Sequence, residues 1–493
     1  MKTMPSLLAP AGNMRALQTA LRFGADAVYC GAKQYGLRAQ AGNFDEKQLE
    51  QAVTLAHAAG AQVNLTLNIF AFDGDLDGMV RTAKAARDMG VDAAIISDLG
   101  AIARIAREAP GLDIHVSTQA STTNSESARV YKALGAKRVV LAREMTFDQI
   151  EAMSAAVGDE IELESFIHGA ACMSYSGRCM LSSFLTGRSA NRGACSQPCR
   201  WTYTLHERTR PDEAMPIEED ERGTAILSSR DICMMDHLPR LMESGICCFK
   251  VEGRMKTEIY IATVVGAYRR AMDAYANDPE GYKANAALQK RLRGELDKIS
   301  HRVYDTGFYF GQPKVCGEAV GVTQEAEYMG YVLDVSGGEA LVEMKNRFFV
   351  GDELETVTPK GSEKLVIEDI VLERTGEHVG VVNVPMERVR IPCGGKLEAG
   401  ESPAEALARE LAEELGIGVR ECRFWQSLEH SYAERGFRVR LHFFHVTAFS
   451  GEPCPAEGQN LRWVTPAEAP ELGFLPADAG VLEQLRAEGP PMA

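Results

Sequence analysis

The feature that most constrains this chain is a series of eight short apolar runs between residue 5 and about residue 255, each separated from the next by an amphipathic helical stretch. The runs read SLLAP, ADAVYCG, AQVNLTLN, DAAIISD, DIHVST, KRVVLARE, IELESFIHG and CCFKVEGRM, and DEKQLEQAVTLAHAAG is typical of the stretches between them. Strands apolar on both faces that alternate with helices belong to a parallel sheet covered by those helices. Eight such units predict an α/β fold whose sheet closes into a (β/α)8-type barrel, with reactive groups at the C-terminal ends of the strands. Polar residues stand at those ends: Asn13, Asn68, Asp98, Gln119, Glu144, His168, Glu252 and Arg254. Asn13 and Asp98 are each suited to cap the helix that follows. His168, Glu252 and Arg254 are the candidate catalytic residues.

With 493 residues the chain exceeds a single core, so further domains must follow the barrel. Residues 1–300 are assigned to the barrel. Residues 301–392, which include YMGYVLDVSGGEALVEMKNRFFVGDELETVTPKG, alternate apolar and polar positions between glycine turns and predict a small β-rich domain. From 393 to 493 the pattern changes to a loop, a helix and further strands, an α+β segment.

The N-terminal MKTMPSLLAPAGNMRAL lacks the features of a signal peptide, and no apolar run is long enough to span a bilayer. The expectation is a cytoplasmic protein with no membrane partner. Its twelve cysteines are then expected to be thiols rather than disulfides. The formal charge of -16 excludes a generally basic nucleic-acid coat but leaves room for a local basic groove.

Four of the cysteines crowd into HGAACMSYSGRCMLSSFLTGRSANRGACSQPCRW, just after the seventh run. Cys172, Cys179, Cys195 and Cys199 form a C-x6-C-x15-C-x3-C array. Structural zinc sites use paired short C-x2-C spacings, which are absent here. An iron-sulfur cluster accepts wider loop spacings, because its thiolates approach from several directions. Arg178, Arg188, Arg192 and Arg200 lie nearby, and their charge favours thiolates and offsets that of a cluster. Burial of four free cysteines is the plainer alternative, and a segment rich in Gly, Ser and Arg suits it poorly. Cys233 is a second candidate for the fourth ligand, in place of Cys199. The same segment interleaves its arginines with Trp201 and Tyr203, residue types that contact phosphate and stack on an unpaired base.

These motifs, together with LLAPAGN, GADAVYCGAKQYGLRA, STQASTTN, NRGACSQPCRW and FKVEGRMK, closely resemble the collagenase-like peptidase family over residues 5 to 390, in particular its tRNA uridine hydroxylase branch. The resemblance implies a four-iron [4Fe-4S] cluster, tRNA as substrate, and prephenate-dependent, O2-independent conversion of wobble uridine to 5-hydroxyuridine. It carries Cys172, Cys179 and Cys195 over as ligands, with Cys199 matching a C-x3-C pair of a related branch. A collagenase-like endopeptidase is an alternative activity. The chain has no G-x-S-x-G and no H-E-x-x-H, and a Cys172/His168 couple is its one candidate nucleophile and base.

A second chemistry begins at Gly395, where the chain reads G-x5-E-x7-R-E-L-x-E-E-x-G-I. Ser402 and Glu405 form a capping box around Pro403, and Gly416 supplies the helix stop. Glu410, Glu413 and Glu414 share one helix face, where a hard divalent cation relieves their mutual repulsion. The pattern matches the Nudix box, and the sequence after it resembles the 8-oxo-dGTP diphosphatase branch of the Nudix family. That resemblance implies Mg2+ bound by Glu410, Glu414 and Glu457, assistance from Glu413, carboxylates oriented by Arg409, and a nucleoside triphosphate as substrate. The strands that usually precede the box are missing from 393 onward. Either the end of the β-rich domain substitutes for them or the unit is truncated. Nucleotide pyrophosphohydrolysis as the main activity is therefore a further alternative.

Overall fold

The computed structural model describes residues 4–38, 41–172, 174–201, 219–220, 223–224, 229–313, 322–336, 338–393, 402–432, 437–454, 464–465 and 484. The chain divides into two compact units, Met1–Tyr328 with Glu355–Lys364, and Met329–Leu354 with Leu365–Ala493. The first unit thus runs beyond residue 300. Tyr304–Asp305 pairs with Asp231–Ile232, and His301 bridges to Thr323, which ties that stretch to the barrel.

The eight expected runs form eight parallel strands: β1 Ser6–Pro10, β2 Ala27–Gly31, β3 Gln62–Leu67, β4 Ala93–Ile96, β5 Asp113–Val116, β6 Arg138–Val140, β7 Glu162–Ala170 and β8 Cys248–Val251. Each pairs with the next, β7 pairs with β8, and β8 returns to β1, so the sheet is a closed barrel. Between the strands lie α1 Met14–Arg22, α2 Glu46–Ala58, α3 Asp73–Asp88, α4 Leu99–Glu108, α5 Ser125–Ala133 and α6 Phe147–Val157. Asn13 caps α1 by accepting from the Ala16 amide, and Asp98 caps α4 by accepting from that of Ala101. The short α7 Leu181–Thr186 lies in the cysteine segment, and α8 Leu238–Glu243 and α9 Glu258–Asn277 flank β8. Leu7, Val28, Val63, Leu65, Ile114, Val139 and Val251 face outward into the main core with the helices.

The inward positions are partly charged. Glu164 on β7, with no solvent exposure, accepts from Lys250 Nζ on β8 at 2.8 Å and from Arg138 on β6 at 3.3 Å. Burial alone pushes its carboxyl up, but Lys250, Arg138 and the nearby His115 outweigh burial and hold it at about 2. A carboxyl held below its unfolded value of 4.5 contributes stability that is full above that pH and is lost as pH falls toward 2.

In the second unit, Gly330–Ser336, Glu339–Met344, Arg388–Pro392 and Val371–Leu372 form a four-stranded antiparallel sheet. Its core contains Val342, Met344, Phe348, Ile367, Ile370, Val389 and Ile391. A helix follows at Pro403–Leu415, then a long antiparallel hairpin, Gly418–Tyr432 with Phe437–Ser450. The helix begins with the expected capping box between Ser402 and Glu405 and ends on Gly416 at φ 67°.

Glu164→Gln should lower the unfolding free energy by about 3–5 kcal/mol, because two cations lose a buried partner. It should also flatten the acid limb of stability between pH 4.5 and about 2. Denaturant titration across that range checks both.

Candidate functional site: a cysteine-roofed cavity at the barrel mouth

A cavity of roughly 410 Å³ opens at the C-terminal end of the barrel. Tyr29, Thr66, Ile95, Phe166 and Lys250 line it from the strands, and Cys172, Cys179, Cys195 and Cys199 line it from the segment after β7. All four are free thiols. Burial pushes the Cys199 thiol up; Arg200 opposes that, and Cys172, Cys195 and Cys179 raise it further, so the four sulfurs feel one another's charge. Among the described residues no three His, Cys, Asp or Glu side chains converge as the ligands of a single metal ion must.

The Ser, Asn and Arg content of this segment serves to seat it. Arg192 reaches Asp75 at 2.7 Å and the Phe70 carbonyl at 2.8 Å, and the Phe70 amide donates to the Asn191 carbonyl. Asn191 donates to the Cys179 carbonyl, Ser121 to that of Ser176, and Ser229 to that of Ala171. The loop is thus fixed to the β3–α3 connection and to the turn after β5.

The cavity also carries a cluster of cationic side chains. Glu252 accepts from Arg38 at 3.2 Å and from Arg143 at 3.4 Å. Burial pushes its carboxyl up, and Arg38, Arg143 and Arg254 together outweigh burial and hold it below the ordinary carboxylate range. Arg254, only 5% exposed, donates to the neutral oxygens of Thr66 and Asn43, and its Nε has no partner. The Arg143 Nε is also buried without a partner, and its guanidinium lies 3.9 Å from the centroid of the Phe166 ring. Gly12 and Gly31 make room for Arg254, since a Cβ at either would collide with it. This accounts for glycine in LLAPAGN and YCGA. Three arginines thus face one carboxylate, because Lys250 is already committed to Glu164.

Of the residues expected at the strand ends, Asn68, Gln119, Glu252 and Arg254 line the cavity. Glu144 does not; it is its neighbour Arg143 that points in. His168 is a correction to the expected mouth position. The pairing of β7 with β8 slips between Phe166↔Lys250 and His168↔Val251, a bulge that turns His168 to the outer face. There it is buried against Tyr304, Tyr268 and Tyr260, with ring centroids at 5.3, 5.6 and 6.0 Å. Cys233, the second candidate for the fourth ligand, is buried beside His168, accepts from Arg293 at 3.1 Å, and does not line the cavity.

In the second unit, Arg409 contacts the Glu410 carboxylate at 2.7 Å. Glu413 and Glu414 lie on the same helix, Pro403–Leu415, and Glu457 falls outside the described residues. Tyr203 also falls outside them, while Trp201 is 42% exposed.

Three family models match the chain: Peptidase family U32 over residues 12–318, Peptidase family U32 C-terminal domain over 324–401, and the NUDIX domain over 370–485. The chain belongs to peptidase family U32. Similar relatives of this U32 protein include tRNA hydroxylation protein P1 of Bacillus subtilis, 37% identical over 80% of this chain and 93% of that protein. The tRNA hydroxylation protein P of Escherichia coli is 32% identical over 74% of this chain and 88% of that protein. A collagenase of Porphyromonas gingivalis is 31% identical over 72% of this chain and 86% of that protein. The last two family matches overlap over residues 370–401. The strands in that overlap, Val371–Leu372 and Arg388–Pro392, belong to the sheet built on Glu339–Met344.

Sequence reading of the U32 chain missed Arg38, Arg143, Lys250, Tyr29 and Phe166. Inside–outside parity along the strands could have found Tyr29, Phe166 and Lys250, which share faces with Ala27, Glu164 and Cys248.

Burial pulls His168 down to about 3, and Arg293, His301 and Lys256 add to the effect. A histidine held below its unfolded value of 6.5 contributes stability that is lost as pH falls from 6.5 toward 3. His168→Phe should therefore lose less stability than the wild type between neutral pH and about pH 4, and should keep the activity of the cavity. Unfolding midpoints at the two pH values, with a turnover assay, check this.

Proposed function

We propose that this chain is an iron-sulfur tRNA hydroxylase that converts wobble uridine to 5-hydroxyuridine without O2. The observation that carries the reading is one cavity lined by both four thiols and three arginines. A [4Fe-4S] cluster takes one thiolate at each iron, so its ligands must be spread around it. The arrangement of Cys172, Cys179, Cys195 and Cys199 fits that need and favours Cys199 over Cys233. When bound, such a cluster supplies one-electron chemistry. The names of the two tRNA hydroxylation relatives support tRNA as substrate.

The chain's own residues bind and orient. The buried guanidinium of Arg254, donating only to neutral oxygens, favours an anionic group within the cavity. Prephenate, a carboxylate co-substrate implied by the resemblance, meets that requirement beside Arg38 and Arg143. Tyr29 and Phe166 line the cavity with aromatic surface suited to a pyrimidine inserted from an unpaired loop. Glu252 fixes Arg38 and Arg143 across the cavity. Replacing the uracil C5–H by C5–OH is a two-electron oxidation, so without O2 it takes an oxygen atom from water or from the co-substrate and passes two electrons to an acceptor other than O2. The peptidase alternative fares less well: the cavity that Cys172 lines has no histidine among its described residues, and His168 is turned away from it.

A second activity is favoured by the NUDIX match and by the capped helix that carries Arg409 and Glu410. In this reading Glu410, Glu414 and Glu457 bind Mg2+, Glu413 assists, and a nucleoside triphosphate of the 8-oxo-dGTP type is cleaved to the monophosphate and pyrophosphate.

In cells lacking their own enzyme, the wild-type chain should yield 5-hydroxyuridine in digested tRNA, read by mass spectrometry. Cys195→Ala should abolish it, and Arg254→Met should lower it roughly tenfold or more. Its absence with a cluster-loaded wild type would overturn the reading. Glu414→Gln should abolish Mg2+-dependent nucleotide hydrolysis and leave 5-hydroxyuridine unchanged; nucleotide turnover at the wild-type rate would contradict the second activity.

A further inference from the structure

We propose that a second cavity, beside the cysteine-roofed one, holds the unpaired nucleotide next to the target uridine. This rests on the RNA reading above and extends it to a second site. The second cavity measures roughly 210 Å³ and shares Asn68, Gln119, Gly177 and Asn191 with the first, so one wall serves both. A strand that inserts one base into the first cavity brings its neighbour to the second.

The chemistry of the lining selects the occupant. Phe70, 54% exposed, and Tyr131 both line the second cavity. Phe72, 60% exposed, sits 6.0 Å from Phe70 edge-to-face, so an aromatic patch rather than a lone side chain faces solvent. Arg178 lines the same cavity, is exposed, and has neither an ion-pair nor a side-chain hydrogen-bond partner among the described residues. In a chain of formal charge -16 this is a local cation beside aromatic faces. The Gln119 side-chain amide, on the shared wall, also makes no hydrogen bond within the described residues. Asp98 lines the cavity too, but its carboxylate is engaged at the head of α4. An aromatic face for a base, a guanidinium for a phosphate and a free amide for a base edge together match single-stranded RNA.

The cysteine segment completes the wall between the cavities with Gly177 and Asn191, the latter held by the hydrogen bond from the Phe70 amide and by its own to the Cys179 carbonyl. Seating that segment therefore forms the two cavities together.

The test uses the full-length, cluster-loaded protein and RNA hairpins that carry the target uridine in the loop. One hairpin is intact, and others have a single abasic site on either side of that uridine. Wild-type protein should bind the intact hairpin about tenfold or more tightly than one of the two abasic hairpins. The pair Phe70→Ala and Arg178→Ala should weaken binding of the intact hairpin by a similar factor and erase the difference between hairpins, with the visible spectrum of the cluster unchanged. Equal affinity of the wild type for all hairpins, or variants that bind the intact hairpin as the wild type does, would overturn the proposal. Binding is read without turnover, so a failure of hydroxylation alone would count against the reaction and not against this site.

Discussion

The barrel depends on a carboxylate in its seam. Glu164 sits without solvent exposure on β7 and binds Arg138 of β6 on one side and Lys250 of β8 on the other, so it links the three strands at which the sheet closes. Removing three charges from water is costly, and only mutual pairing makes the arrangement tolerable. One consequence reaches the cavity above. Lys250 is held upright with its ammonium 4.6 Å from the Tyr29 ring centroid and 5.4 Å from that of Phe166, which sets the two aromatic faces of the floor.

Above that floor, charge is divided with a purpose that chemistry makes plain. Arg38 and Arg143 pair with Glu252, Arg254 lies within reach of its charge, and one carboxylate cannot neutralise all three. The four thiols line the same cavity, and among the described residues no three metal-ligating side chains converge on one point. In the proposed reading, an iron-sulfur cluster would be held by the thiols and an anionic co-substrate by the arginines, and the base would lie over the aromatic floor.

Much of this was legible in the sequence, because strand and helix periods differ and the chain obeys both. All eight strands follow the apolar runs, and Asn13, Asp98 and Ser402 cap their helices as their residue types require. The cysteine spacing identified the roof. What escaped was orientation. A one-residue bulge after Phe166 reverses the facing of His168, and no residue type announces it. At the end of β6 the adjacent Arg143 and Glu144 differ only in parity, and it is the arginine that faces the cavity. Arg38 arrives from a loop, where no period applies. In the C-terminal segment the match to the NUDIX domain begins at residue 370, inside a sheet that the small β domain already uses, so composition alone could not draw that boundary.

The central claim is that the four thiols of the roof hold an iron-sulfur cluster. Anaerobic purification of the full chain followed by iron and acid-labile sulfide analysis tests it most directly. The account predicts four irons and four sulfides per chain, with loss of that content in Cys199→Ala and retention in Cys233→Ala. Iron-free protein, or content that depends on Cys233 and not on Cys199, would contradict it.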